Sequence, residues 1–340
     1  MKTLIWNFFI AISLIIQLIS CKQHPQDIVS EYYRKGEFNG SVLIIKNGQI
    51  VCDTALGFRN IEKRLKADKN TSFYIASLSK PFTAAAILML EQKGALKLDD
   101  KASRFITLPE YAKNITIRQL LHHTSGIRDY ENLFSKKELT NQEVINWLLS
   151  GKNLDFAPDS KFKYSNTGYI ILSCIIEKVS GKSYSTFINE HIITPLKMHH
   201  TYVYEAGTVI QNRALGYNKE KKPDDYSILT TGDGGIYSTP EDLYQFDQAL
   251  RNYTLINKEN TQAMYSTFPL SDGKISDYGF AWFIENNNGE ISAMHTGGLN
   301  GFKALFWRDL QHNTCIIALT NQGDAFPLGN FLHDIKKAIR

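Results

Sequence analysis

Charge of one sign, cysteine in number, and the short motifs of metal, nucleotide and elbow-type hydrolase chemistry are all missing from this chain. Lysine and arginine total 38 against 34 aspartates and glutamates, and the small excess is scattered without a basic arm, which argues against nucleic acid as a partner. No His-Glu-x-x-His occurs. His122-His123 and His199-His200 are adjacent pairs, whose side chains would point apart on a helix, so no metal is expected and His122-His123 reads as a turn-stabilising pair. Gly232-Asp233-Gly234-Gly235 lacks both the phosphate-loop lysine and the dinucleotide spacing, so it reads as a backbone turn near a cleft, and no cofactor is called for. The absence of Gly-x-Ser-x-Gly disfavours an α/β-hydrolase triad. No unit repeats along the chain.

What is present begins with an export signal. Lys2 precedes an apolar run from Leu4 to Ile19, broken only by Asn7, Ser13 and Gln17, and the small residue Ser20 stands before Cys21. Leu18-Ile19-Ser20-Cys21 resembles a bacterial lipobox. That reading makes residues 1–20 a lipoprotein signal peptide, Cys21 the lipidated residue and residues 21–26 a short tether holding the body at a membrane surface. The expected location is the bacterial cell envelope, periplasmic or outer face. An uncleaved anchor or a plain signal peptide are the competing readings, although the run is short for a span of ~20 residues. With Cys21 lipidated, Cys52, Cys174 and Cys315 cannot all pair; each sits in an apolar run and reads as a small core residue.

Hydrophobic residues make up 43% of the 340 and charged residues 21%, an ordinary folded composition long enough for two lobes or one composite domain. Residues 40–58 alternate around Asn47-Gly48, which predicts a hairpin. From Ser77 to Lys93 the pattern is helical and apolar nearly all round, with Pro81 allowed only in the first turn, so this helix should start near Ser77 and be buried. Helical stretches at 116–122, 141–150, 167–180 and 184–192 follow, and Thr239-Pro240-Glu241-Asp242 opens another. Short β-rich runs at 278–285, 290–297, 302–308 and 313–320 precede a closing helix. The order predicts an α+β fold: an antiparallel sheet built from both ends of the chain and flanked by helices, with a sheet lobe (27–94 and 232–340) and an inserted helical lobe (95–231).

The chemistry concentrates at Ser77-Leu78-Ser79-Lys80. Residues three apart share a helix face and residues two apart do not, so Lys80 can reach Ser77 but not Ser79. A desolvated lysine can take a serine proton, and a helix N-terminus favours the oxyanion formed when a carbonyl is attacked. Alone, Ser-x-x-Lys is weak. Tyr164-Ser165-Asn166 before a helix and His295-Thr296-Gly297-Gly298 at the end of a late strand change the odds.

These three motifs, in this order, resemble those of class C β-lactamases, D-alanyl-D-alanine carboxypeptidases and related esterases, the penicillin-binding, β-lactamase-like serine hydrolases. Leu121 to Gly126 and Gly234 to Ser238 are also similar to segments of that family, so the resemblance spans nearly the whole mature chain. It implies the β-lactamase/transpeptidase-like fold over residues 27–340, an acyl-enzyme on Ser77, Lys80 and Tyr164 as base and proton shuttle, and Asn166 orienting Lys80 and the substrate amide. It also implies an oxyanion hole from the Ser77 and Gly298 amides, with His295 and Thr296 at the substrate edge. Glycines 297 and 298 would let substrate lie close against that edge. Where β-lactamases carry lysine this chain has His295, mostly neutral at pH 7 unless its site raises it, which disfavours β-lactamase activity. The expected substrate is a D-amino-acid peptide or a small ester or amide, with loops 127–140 and 205–230 as cleft walls and the protein a monomer. The alternative is a slow-turnover penicillin-binding or wall-fragment sensor lipoprotein.

Overall fold

The computed structural model describes residues 23–130, 138–225 and 228–340. Residues 1–22, with the apolar run and Cys21, lie outside them. Helix α1 (Pro25–Arg34) leads into strands β1 (Gly40–Lys46) and β2 (Gln49–Leu56). Asn47 and Gly48 both take positive φ, at 50° and 78°, which matches the twist of a tight hairpin. Helices α2 (Lys80–Gln92), α3 (Asn166–Ser180) and α4 (Pro240–Arg251) fill the middle of the chain. Strands β3 (Phe283–Asn287), β4 (Glu290–Leu299), β5 (Phe302–Asp309) and β6 (Cys315–Thr320) and helix α5 (Leu328–Ile339) complete it.

The sheet runs in the order β3-β4-β5-β6-β1-β2, with every neighbour antiparallel. Val42 of β1 lies opposite Ala318 of β6, so the two ends of the chain meet in the middle of the sheet, as the strand-helix-strand order predicted. Because successive strand residues face opposite sides, Val42, Ile44, Leu305, Trp307, Ile316 and Ala318 pack under α1 and α5. Leu43, Ile45, Ala304, Phe306, Ile317 and Leu319 face the larger core that holds α2 and α3. Ala84 to Leu88 are wholly buried, and Phe82 stacks on Phe246 of α4 at 4.3 Å. Cys52 and Cys315 are buried free thiols, and Cys174 is half-buried and free. Among the described residues no helix is long and apolar enough to cross a membrane.

Three local features differ from the sequence reading. The α-helix begins at Lys80, and Ala76–Ser79 form a separate 3₁₀ turn, so Ser77 sits on the turn rather than in the helix. A small sheet joins Phe73–Tyr74, Ile236–Ser238 and Tyr202–Val203, pieces too short for any alternation to show. The strand expected from residue 278 starts only at Phe283, because residues 278–282 make a tight reversal in which the Gly279 amide donates to the Trp282 carbonyl and Ala281 takes φ 64°.

Strand β4 crosses directly over the Ser77 turn. A Cβ at Gly297 would stand 1.9 Å from the Ile75 carbonyl oxygen and 3.1 Å from the Leu78 amide nitrogen, whereas one at Gly298 would meet nothing closer than the Phe302 carbonyl oxygen at 3.9 Å. This corrects the common role expected of the two glycines: Gly297 is required by the protein's own backbone and only Gly298 is open. The pair makes a controlled test. Gly297→Ala should cost about 3 kcal/mol or more, because backbone cannot yield as a side chain does, while Gly298→Ala should leave the urea midpoint nearly unchanged. Equal midpoints for the two variants would refute the close approach.

Candidate active site

Ser77 is half-buried on its turn, while Lys80 one turn on is completely buried. Ala76 takes φ 47°, a left-handed conformation costing a residue with a side chain of order 1–3 kcal/mol. The strain persists because β4 clamps the turn from above. Lys80 Nζ lies 3.1 Å from Ser77 Oγ, 2.7 Å from Asn166 Oδ1 and 2.9 Å from the Asp233 carbonyl oxygen. The last two can only accept, so they take two of its N–H bonds. The third direction points at the serine hydroxyl, as a donor when Lys80 is an ammonium and as a lone pair when it is an amine.

Asn166 is oriented from behind. Asp129 Oδ2 accepts from the Asn166 amide nitrogen at 3.0 Å and from Asn166 Nδ2 at 3.3 Å, and Oδ1 accepts from the backbone and hydroxyl of Thr167 at 3.2 and 3.3 Å. A carboxylate at a helix N-terminus satisfies orphan amides and opposes the helix dipole. Since Asp129 can only accept, Asn166 Nδ2 must face it, and Oδ1 is left for Lys80. The Asp233 carbonyl is presented by the Gly232–Gly235 turn. Thr83 Oγ1 holds that turn through the Gly232 carbonyl at 2.7 Å, and Tyr74 Oη accepts from the Gly235 amide at 3.2 Å.

Tyr164 places its ring 4.8 Å from Lys80 Nζ, in cation–π range, and against His123 at 4.3 Å. Its hydroxyl is buried and has no hydrogen-bond partner among the described residues. His295 Nδ1 lies 2.7 Å from the Thr296 carbonyl oxygen and must donate to it, which leaves Nε2 to accept from the Tyr278 hydroxyl at 3.0 Å. That tautomer is neutral, and burial, then the nearby Lys80 charge, push His295 down to about 3. Burial likewise lowers His122 to about 4, with its Nδ1 donating to the Tyr278 carbonyl at 3.0 Å, and holds His123 well below the usual imidazole range. His123 Nδ1 accepts from the Ser165 amide at 3.1 Å. The adjacent histidines therefore brace the turn at Tyr278 and the entry to α3.

Beside Ser77 lies a cavity of about 190 Å³, lined by Ser77, Asn166, Gly298, Tyr130, Thr230 and Asp233 among others. Residues 26–334, which include the Ser-x-x-Lys, Tyr-x-Asn and His-Thr-Gly segments, match the Beta-lactamase family model. The chain belongs to the Beta-lactamase family. It is 35% identical over 326 residues to penicillin-binding protein 4* of Bacillus subtilis, covering 88% of this chain and 72% of that protein. Protein flp of Staphylococcus aureus is 30% identical over 322 residues, covering 88% of this chain and 63% of flp, so the chain spans less than two thirds of that relative. The crystal structure of a penicillin-binding protein from Bacillus halodurans superposes with a TM-score of 0.80 at 27% identity, over 94% of this chain and 98% of that one.

Within this Beta-lactamase family fold, Ser77, Lys80 and Asn166 form one hydrogen-bonded group, with Tyr164 packed on the lysine. Gly298 reaches the cavity. His295 stands one layer back: it is 1% exposed and bonded within the protein, and Thr296 supplies its carbonyl to that histidine. Asp129, Tyr130, Asp233 and Tyr278 were not singled out from the sequence. Asp129 and Tyr130 follow the Leu121–Gly126 segment and Asp233 lies in the Gly-rich turn, so the neighbourhood was visible but the side chains carried no spacing signal. Of the expected cleft walls, Tyr130, Ile228 and Thr230 line the cavity, while 131–137 and 226–227 lie outside the described residues.

Two outcomes follow from this geometry. Asp129→Ala should cost about 1 kcal/mol in stability through the lost helix cap, and should slow acylation of Ser77 more than tenfold by freeing Asn166 to rotate; stopped-flow labelling reads the rate. An unchanged rate in a folded variant would remove Asp129 from the site. The histidines also make stability depend on pH. Their folded pKa values lie below the unfolded ~6.5, so the unfolded chain binds more protons and stability, complete above pH 6.5, falls as pH drops toward the folded values. Between pH 7.5 and 5 the loss should be of order 2 kcal/mol for each of His122 and His295 in urea unfolding, and His122→Gln should remove its share and lower the slope.

Proposed function

We propose that the chain is an exported, lipid-anchored serine hydrolase that forms an acyl-enzyme on Ser77 and acts on a D-amino-acid peptide or a small ester or amide. The observation that carries the reading is the buried Lys80 amine, whose two carbonyl acceptors leave its remaining direction on Ser77 Oγ at 3.1 Å. As Oγ attacks the substrate carbonyl, its proton passes to Lys80 Nζ, and the charge formed there is met by Asn166 Oδ1, the Asp233 carbonyl and the face of Tyr164. In this reading the Tyr164 hydroxyl, which has no hydrogen-bond partner among the described residues, hands a proton to the departing group and recovers it from Lys80. Amides of Ser77 and Gly298 hold the oxyanion. Water then deacylates Ser77 by the reverse relay.

A neutral, buried His295 offers no cation to a substrate carboxylate, which supports an amide or ester substrate over a β-lactam. Its role in this reading is to position Tyr278 and the substrate edge of β4. Lipid on Cys21 would hold the enzyme at the envelope membrane, and a Cys21→Ser variant should lose incorporation of labelled palmitate in cells.

Purified protein lacking residues 1–21 should react with a fluorophosphonate at Ser77. Ser77→Ala should abolish labelling, and Lys80→Met should slow it about 10²–10⁴-fold. Labelling that survives in Ser77→Ala would overturn the reading. A fluorescent penicillin that labels Ser77 and persists would move the slow-turnover penicillin-binding function to first place.

A further inference from the structure

The small positive excess that is spread along the sequence is gathered by the fold. Residues 58–70 and 211–225 together carry nine lysines and arginines against five carboxylates, an excess of four that equals the excess of the whole chain. These distant segments lie side by side. The Leu215 amide donates to the Arg59 carbonyl at 2.8 Å, and Asn212 Nδ2 donates to Asp68 Oδ1 at 2.9 Å. The Tyr217 hydroxyl accepts from the Ile61 amide at 2.9 Å and donates to Glu62 Oε2 at 2.6 Å. A short hairpin of Phe58–Asn60 and Leu65–Lys66 is thereby locked against the 211–225 loop.

The acidic side chains of this face are mostly engaged within the protein, and the basic ones are not. Glu62 and Asp68 hold the two segments together, and Asp225 pairs with Arg213. Lys63, Arg64, Lys66, Lys219, Lys221 and Lys222 are all exposed, and none forms an ion pair among the described residues. Only Glu220 and Asp224 remain to offset them. Arg64 and Lys221 stand at turn tips with φ 53° and 62°, where glycine or asparagine would sit more easily. Five of the six are lysines, hydrated point charges on flexible stems, which follow a run of negative charge better than they grip the shape of one small anion.

The basic face adjoins the cleft. At the turn between β4 and β5 the Gly301 amide donates to the Asp224 carbonyl at 3.2 Å, and Gly298 and Leu299 just before that turn line the cavity beside Ser77. Beyond the basic loop the chain returns to the same cavity at Ile228 and Thr230. We infer that this face docks a polyanionic chain, a polymer bearing a phosphate or a carboxylate on each repeat, and holds it along the mouth of the serine cleft. Leu65 is the one exposed large hydrophobic residue among the described residues of the two segments, and no aromatic ring there is exposed. The face therefore lacks both the apolar side chains that enter a bilayer and the rings that stack on bases. It also lies away from the start of α1, which runs along β2 from Cys52, whose thiol donates to Gln26 Oε1 at 3.2 Å, toward Gly57 beside Tyr33. A lipid on Cys21, as proposed above, would hold the membrane at that other end; the docking itself depends on neither the lipid nor the chemistry of Ser77.

Calorimetric titration of protein lacking residues 1–21 with long-chain polyphosphate and with polygalacturonate tests it. Binding should be clear at about 50 mM salt and vanish near about 0.5 M. Lys63→Gln/Arg64→Gln/Lys66→Gln and Lys219→Gln/Lys221→Gln/Lys222→Gln should each weaken it roughly tenfold or more. Lys93→Gln/Lys178→Gln/Lys337→Gln removes the same charge from exposed positions elsewhere and should weaken it by no more than about twofold. That pattern with either polymer upholds the docking face, and the tighter of the two names the anion. No salt-sensitive binding, or an equal loss in the control variant, overturns the inference. Tighter binding to vesicles of about 30% phosphatidylglycerol in phosphatidylcholine than to either polymer overturns it in favour of a membrane contact, and tighter binding to single-stranded DNA overturns it in favour of nucleic acid. Fluorophosphonate labelling of Ser77 should be the same in all three variants, so loss of polymer binding with labelling intact overturns the docking face and leaves the hydrolase reading standing.

Discussion

A lysine side chain with no exposure to water organises this molecule. Burying its nitrogen is expensive unless each hydrogen-bonding direction finds a partner, and the partners of Lys80 come from three separate parts of the chain: Ser77 from its own turn, Asn166 from the start of α3, and the Asp233 carbonyl from a Gly-rich turn. Each needs its own support. Asp129 fixes the rotation of Asn166, Thr83 and Tyr74 fix the turn at 232–235, and β4 fixes the turn that carries the serine. The helical lobe and the sheet are both committed to satisfying one amine, and the same arrangement leaves that amine directed at a hydroxyl.

The three histidines show how context decides charge. All are titratable near neutral pH as free side chains, yet each is buried with one ring nitrogen engaged by the backbone, so each stays neutral. They behave as shaped hydrogen-bonding spacers. His122 and His295 grip the two ends of Tyr278, and His123 carries the amide that opens α3. Lys80 is thereby left as the basic group bonded to Ser77.

Much of this was legible in the amino-acid order. The hairpin at Asn47-Gly48, the buried helix after Ser77, the N-cap at Thr239 and the late strands follow from turn chemistry and periodicity that act within ten or so residues. The Ser77–Lys80 pair was legible because a three-residue spacing brings side chains together in a 3₁₀ turn as it does in a helix, whereas Asn166 was legible only through the motif resemblance. Asp129 was not: it lies 37 positions from Asn166, and nothing local distinguishes a capping carboxylate from a solvated one. The 3₁₀ turn, the two-residue strands and the buried carboxyl of Asp233 were hidden for the same reason, since packing from distant segments creates them. Gly297 was noticed for the wrong cause; only the crossing of β4 over Ile75 shows that the protein's own backbone, not a substrate, excludes a side chain there.

The pairing of β1 with β6 has a consequence in time. A ribosome delivers the first hairpin early and its central partner almost last, and the loop that joins them must be closed before the sheet is complete. Strand β4, which clamps the serine turn, belongs to that late-arriving half. The left-handed turn at Ala76 is thus held by strands drawn from the opposite end of the chain, so the geometry around Ser77 depends on completion of the whole sheet.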